Sequence, residues 1–388
     1  MSGSGRPLRI AILAHSTNPR GGVVHALELG DALARLGHDA VVHAPDSGGA
    51  GFFRATRCAT VGVRASPAGG GTLDLVRTRM RDYLDHFAAP ANRRFDVWHA
   101  QDGISGNALA GLVEQRLIPG FVRTIHHVDD FADAELAALQ RRSIRSAAAL
   151  LVVSRFWQDW VNRELGRRAT VVGNGVDAAR YSPRSDASDG ALRARLALAE
   201  DRPVFLAIGG VEARKNTLGI LAAFQELYRT TPAQLVIAGG ASLLDHGAYQ
   251  TRFAAALAAS GLPPQSVLRT GPLPDTLMPA LYRAATALAF PSLREGFGLV
   301  VLEAMASNLP VIAPGIAPFT EYLGPRDVLW CDPHDTGSIA RAMRSALDPA
   351  RRADLVARAA RMVAAFTWDR VAAAHLDAYA PLLERTDA

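Results

Sequence analysis

The amino-acid sequence predicts an α/β protein built from two consecutive doubly wound parallel sheets. Three observations lead there. Short apolar runs alternate with longer helical patterns from one end of the chain to the other, the pattern of parallel strands joined by helical crossovers. The chain has 388 residues, 49% hydrophobic and 20% charged, which is ordinary globular composition and longer than one core usually grows. A turn-rich stretch without periodicity divides the sequence near its middle.

The first series places strands at 8–14, 40–44, 96–99, 121–125, 149–153 and 170–172, with helices such as 23–36 between them. The Gly-rich stretches 46–59 and 65–71 read as loops. Gly173-Asn174-Gly175-Val176-Asp177, followed by Ser182-Pro183-Arg184-Ser185-Asp186, reads as the connection. A second series then places strands at 204–208, 235–238, 267–269, 287–290, 311–313 and 328–330. The expected domains are 1–178 and 179–367. The last segment, 368–388, carries Trp368, Val371, His375, Leu376 and Tyr379 in helical register and is expected to pack back on the first domain. Right-handed crossovers put loop-borne sites at the carboxyl ends of the strands, and two such units facing each other would leave a central cleft.

Composition narrows the function. Cys58 and Cys331 are far apart and outside metal-ligand spacing, which indicates neither a disulfide framework nor a zinc site and suits a reducing compartment. The apolar run 10–14 is too short for a signal-peptide core or a membrane span, so a cytoplasmic protein is expected. The net charge of +5 lies wholly in residues 1–182, which hold 22 Arg against 17 acids, while 183–388 hold 20 basic and 20 acidic residues. That excess reads either as a solvated Arg-rich surface or as a means of peripheral contact with the inner face of a membrane. No basic run with interleaved aromatics suggests nucleic acid.

Of the 42 basic residues 41 are Arg, and the single lysine is Lys215. An ammonium is a compact point charge that a guanidinium cannot copy where a phosphate oxygen must be reached in a tight space. Lys215 sits in Gly209-Gly210-Val211-Glu212-Ala213-Arg214-Lys215-Asn216, directly after the first strand of the second series. Adjacent cations on a strand-end loop can neutralise a diphosphate leaving group without a metal.

The most informative stretch runs from Phe290 to Pro310: a buried strand ends, a loop with Gly296 and Gly298 follows, and 299–307 has helical composition. Glycines let a backbone approach a ligand closely, and amides at a helix start attract an anion. Glu295 lies on the loop and Glu303 one turn into the helix; carboxylates accept paired hydroxyls well, as on a ribose or a hexose. Seven residues separate the two glutamates.

Here the sequence closely resembles the family 4 retaining glycosyltransferases of the GT-B fold, whose signature is that glutamate pair. The likeness continues through Glu303-Ala304-Met305-Ala306 to Pro310-Val311-Ile312, with matching pieces over nearly the whole chain. It implies a fold of two Rossmann-like domains and transfer of a hexose from a nucleotide diphosphate sugar, with no cofactor or metal. It also implies that Glu303 binds ribose hydroxyls, that Glu295 meets the transferred sugar, and that Gly296, Phe297, Gly298 and Leu299 lie near sugar and phosphates. Lys215 matches the family's lysine; the family's arginine position is Gly210, and Arg214 stands beside the lysine instead. Pro272 and Leu273 fall in the segment whose backbone the family uses for the base.

In the first domain, Gly21-Gly22-Val23 resembles the loop that closes over the donor phosphates, although such turns are common in α/β proteins and this one could equally shape the acceptor pocket. His126 stands where the family has a histidine near the sugar. His127, Asp130 and His15 are acceptor-side candidates, and Glu321 a candidate supporting residue. Asn174-Gly175-Val176-Asp177 resembles the family's hinge strand and serves equally as an ordinary turn.

The expected partners are a nucleotide sugar and a small-molecule, glycan or lipid-linked acceptor. The competing readings are an epimerase or sugar phosphorylase of the same fold, and a non-catalytic nucleotide-sugar binding protein. A Rossmann dehydrogenase is disfavoured, because no Gly-x-Gly-x-x-Gly with a later acidic residue follows the first strand.

Overall fold

The computed structural model of the chain describes residues 6–240 and 246–384; the last four residues of the expected helix 368–388 lie outside the described residues. Its internal contacts divide the chain into two units, residues 1–175 with 368–388, and residues 176–367.

The first unit holds a seven-stranded sheet: β1 Arg9–Leu13, β2 Asp39–Asp46, β3 Ala59–Arg64, β4 Val97–Ala100, β5 Val122–Ile125, β6 Ala149–Val152 and β7 Thr170–Val171. Their spatial order is β3-β2-β1-β4-β5-β6-β7, every pairing parallel. Strand order reverses between β1 and β4, and ligands of doubly wound sheets bind outside the strand ends at such a switch point. Ile10, Ala11, Ile12 and Leu13 of β1 are fully buried, because helices cover both faces of a parallel sheet and leave no polar alternation.

β3 lies between the two Gly-rich stretches, where the sequence reading placed no strand. It is an edge strand whose only buried residue is Val63, so it lacks the apolar run that marks its neighbours.

The helix Trp368–Leu383 returns to this unit with Trp368, Val371, His375 and Tyr379 buried. It lies against the helix Gly21–Arg35, and Asp369 pairs with Arg35 at 2.7 Å.

The second unit holds six parallel strands: β8 Val204–Ile208, β9 Gln234–Ala238, β10 Val267–Gly271, β11 Ala287–Ala289, β12 Val311–Pro314 and β13 Leu329–Cys331. Their order is β10-β9-β8-β11-β12-β13, with the reversal between β8 and β11. Phe205, Phe224, Leu235, Ile312 and Ile339 centre its core. Cys58 and Cys331 are buried free thiols. Among the described residues, no helix is long and apolar enough to cross a membrane.

Candidate active site

The loops after β8 and β11 flank the switch point of the second sheet, and they carry Lys215 and Glu295 respectively. After β8 the backbone turns at Gly209 (φ 122°) and Gly210 (φ 74°), conformations that exclude most side chains. A Cβ on Gly209 would stand 2.6 Å from Lys215 Cε, so the bare glycine is what lets the lysine stem fold over the turn. A Cβ on Gly210 would stand 2.8 Å from the Gly240 carbonyl oxygen. A side chain there would collide with the backbone of Gly239 and Gly240, so the position the family gives to arginine has no room for one in this chain.

Asn216, in the left-handed region at φ 57°, leads into the helix Thr217–Tyr228 and donates from Nδ2 to the Pro333 carbonyl at 2.7 Å. The two loops are also tied directly, Leu293 N donating to the Arg214 carbonyl at 2.9 Å.

This framework brings three charges together. Glu295 Oε1 accepts from Lys215 Nζ at 2.7 Å and from Arg214 Nη1 at 2.8 Å. Glu295 is 7% exposed, and Lys215 Nζ also lies 4.4 Å from the centre of the Phe290 ring. Burial alone would raise the Glu295 carboxyl, but Lys215 and Arg214 outweigh it and hold it below the usual carboxylate range. Burial pulls the Lys215 ammonium down, with Glu295 opposing. Beneath them Glu212, 3% exposed, lies 3.8 Å from Arg214 and 3.6 Å from His246.

The helix Leu299–Ala306 starts at Gly298 (φ 95°), where a Cβ would stand 2.6 Å from Phe319 Cε1. Phe297 is stacked on Tyr322 with ring centres 4.7 Å apart and planes 1° from parallel, and Tyr322 OH donates to the Phe297 carbonyl at 3.0 Å. Tyr322 thus holds the loop that carries Gly296, Phe297, Gly298 and Leu299, whereas the adjacent Glu321 is exposed.

Glu303 is buried, and its Oε2 accepts from Tyr282 OH at 2.5 Å. Pro272 and Leu273 follow β10, and their segment is anchored where Arg180 Nη2 reaches Asp275 Oδ2 at 2.5 Å and the Asp275 carbonyl at 2.7 Å. Tyr282, Tyr322 and Arg180 carried no motif signal. Each works through a partner remote in sequence, and in the sequence each is an unremarkable aromatic or basic residue.

In the first unit, Gly21, Gly22 and Val23 open the helix Gly21–Arg35 after β1. A Cβ on Gly22 would stand 3.5 Å from His126 Cδ2, so this turn lies against the histidine that follows β5. His126 Nε2 is 2.8 Å from Gln101 Oε1, and burial holds its ring well below the ordinary histidine range. His15 Nδ1 lies 3.6 Å from Asp102 Oδ2. His127 and Asp130 are exposed, with His127 Nε2 3.2 Å from Asp129. The switch point of this sheet therefore gathers His15, Gly22, His126 and Gln101.

Two doubly wound parallel sheets, with paired cations and a carboxylate at the switch point of the second, define the glycosyltransferase class with the GT-B fold. Residues 188–362 match the family described as "Glycosyl transferases group 1" and residues 19–180 match "Glycosyltransferase Family 4". The D-inositol 3-phosphate glycosyltransferase of Xylanimonas cellulosilytica is 31% identical over 98% of both chains. The glycogen synthase of Mycobacterium tuberculosis is 29% identical over 92% of this chain and 89% of its own. The sucrose-phosphate synthase from Thermosynechococcus elongatus shares the fold, with a TM-score of 0.80 over 97% of this chain and all of its own at 22% identity. The chain belongs to glycosyltransferase family 4.

Proposed function

We propose that this protein is a retaining, metal-independent hexosyltransferase that uses a nucleotide diphosphate sugar as donor. The observation that supports this most directly is the meeting of Lys215 and Arg214 on Glu295. Two cations beside a helix start can stabilise the charge that builds on a departing diphosphate, as a metal does elsewhere. In this reading the anomeric carbon leaves its phosphate oxygen and is attacked on the same face by an acceptor hydroxyl. The leaving phosphate oxygen takes the acceptor proton. Glu295 positions the sugar, Glu303 binds the ribose hydroxyls, and the backbone of Pro272 and Leu273 meets the base. Gly210, Gly296, Phe297, Gly298 and Leu299 line the donor, as do Gly21, Gly22 and Val23; His126 contacts the transferred sugar. His15, His127 and Asp130 serve the acceptor.

The protein would act in the cytoplasm, with its basic first half available to an anionic membrane surface. The names of the relatives, one a glycogen synthase and the other a D-inositol 3-phosphate glycosyltransferase, supply the first acceptors to try. A thermal-shift panel of UDP-, GDP- and ADP-sugars identifies the donor, since a ligand of the native state raises its apparent stability. Lys215→Ala is then expected to abolish transfer while the circular dichroism spectrum is unchanged; full activity in that variant overturns the proposal.

A further inference from the structure

His126 is the end of a buried hydrogen-bonded chain that starts on the C-terminal helix. Its Nε2 lies 2.8 Å from Gln101 Oε1. The Gln101 amide nitrogen lies 3.3 Å from His99 Nε2, which is also 2.7 Å from Thr124 Oγ1. The other ring nitrogen of His99, Nδ1, is 2.8 Å from the hydroxyl of Tyr379, 280 positions along the chain. His99, Thr124 and Tyr379 are fully buried and Gln101 is 2% exposed, so solvent cannot relay protons between them.

The donor and acceptor inventory gives this chain a direction. An amide oxygen only accepts, so His126 must carry its proton on Nε2 and donate to Gln101. An amide nitrogen only donates, so His99 Nε2 holds a lone pair, and Thr124 can donate to it as well. The His99 proton is then on Nδ1, where the oxygen of Tyr379 accepts it. What is left at the open end is His126 Nδ1, which has no hydrogen-bond partner among the described residues and carries a lone pair.

We propose that Gln101 and Tyr379 are positioning residues which, acting through His99, hold His126 in the tautomer protonated at Nε2, so that Nδ1 is presented as an acceptor for a sugar hydroxyl. This rests on the reading that His126 meets the transferred sugar. Its consequence is long-range. Tyr379→Phe keeps the ring and removes the only acceptor that the described residues offer the buried His99 Nδ1 proton. The relaxed arrangement moves that proton to Nε2, where it donates to Thr124. The Gln101 amide then rotates so that its oxygen also faces His99 and its nitrogen faces His126. His126 must now accept at Nε2 and carry its proton on Nδ1, so an acceptor towards substrate becomes a donor.

The test is nitrogen-15 NMR of histidine-labelled full-length protein, with the His126 signals assigned by difference from His126→Gln. The wild type is expected to show protonated Nε2 and unprotonated Nδ1, and Tyr379→Phe the reverse. With donor and acceptor supplied, Tyr379→Phe should lower kcat about tenfold, the loss of one well-aligned contact in the transition state, and change KM for the donor less than twofold. Gln101→Glu in the Tyr379→Phe background should restore the wild-type His126 tautomer, because a carboxylate accepts from both histidines. A residue that merely filled space would give no such rescue. Should Tyr379→Phe fold poorly, Gln101→Met is expected to abolish the preference for the Nε2 proton. Wild-type His126 protonated at Nδ1, or an unchanged tautomer in folded Tyr379→Phe, overturns the proposal. His126→Ala with unaltered kinetics would instead refute the sugar contact, leaving the tautomer measurement to stand by itself.

Discussion

Glu295→Gln is the substitution that separates two roles for the central carboxylate. Its Oε1 is shared by Lys215 at 2.7 Å and Arg214 at 2.8 Å, so the cations proposed to receive a diphosphate have an anionic partner within the protein itself. An incoming diphosphate must either displace that carboxylate or sit beside its charge. At an effective dielectric constant of about 20, a unit charge roughly 8 Å from a phosphate charge opposes it by about 2 kcal/mol. Screening and the partial exposure of Arg214 reduce this, and about 1.4 kcal/mol, or tenfold in affinity, is the working expectation.

Glu295→Gln should therefore bind the nucleoside diphosphate about tenfold more tightly by isothermal titration calorimetry while losing transfer. The empty variant should also be less stable, because the buried Lys215 loses its charged partner. Removing one member of a buried pair costs about 3 kcal/mol at the low end, which lowers the melting temperature by about 6 °C or more. Added nucleotide should recover more of that loss than it adds to the wild type. Weaker nucleotide binding in Glu295→Gln would refute the reasoning and make the carboxylate an aligner of the two cations.

Three other outcomes are expected. Tyr282→Phe removes the hydroxyl that donates to Glu303 Oε2 at 2.5 Å, and should raise the dissociation constant for nucleoside diphosphate about tenfold; an unchanged value would mean that Glu303 needs no such support. Gly298→Ala forces a Cβ to within 2.6 Å of Phe319 at φ 95°, and should lower stability by about 1–3 kcal/mol in thermal melts and eliminate transfer. Burial lowers His25 to about 4 and His43 and His375 to about 3, against 6.5 when unfolded. The unfolded chain therefore binds the extra protons, so stability is complete above pH 6.5 and declines as the pH falls through 6.5 towards 4. Each group contributes about 1.4 kcal/mol per pH unit in that window. Urea titrations at pH 7 and pH 5 that give equal stability would contradict this.

Much of the architecture is legible in the sequence because parallel strands buried on both faces write themselves as apolar runs. β1, β8 and β11 are read that way, and their ends locate the loops that bear His15, Lys215 and Glu295. β3 is not legible, since an edge strand with one buried side chain has no reason to be apolar. The two glutamates, the glycines between them and the lone lysine stand out because the proposed phosphate and hydroxyl chemistry restricts which residues can serve. Tyr282, Tyr322, Gln101 and Tyr379 do not, because their side chains act on another side chain or backbone group, and nothing in their own neighbourhood of sequence shows which.

By itself the sequence determined that the chain forms two parallel α/β units and which family it resembles, and it marked the residue types that the proposed chemistry calls for. Only the tertiary structure decided that Lys215 and Arg214 share one oxygen of Glu295, that Gly210 has no room for a side chain, and that a tyrosine near the C-terminus reaches His99. The reason is physical. Burial patterns and backbone preferences are local and leave a trace in residue order, whereas hydrogen-bond partners some 20 to 280 positions apart exist only once the strands are paired and their loops meet.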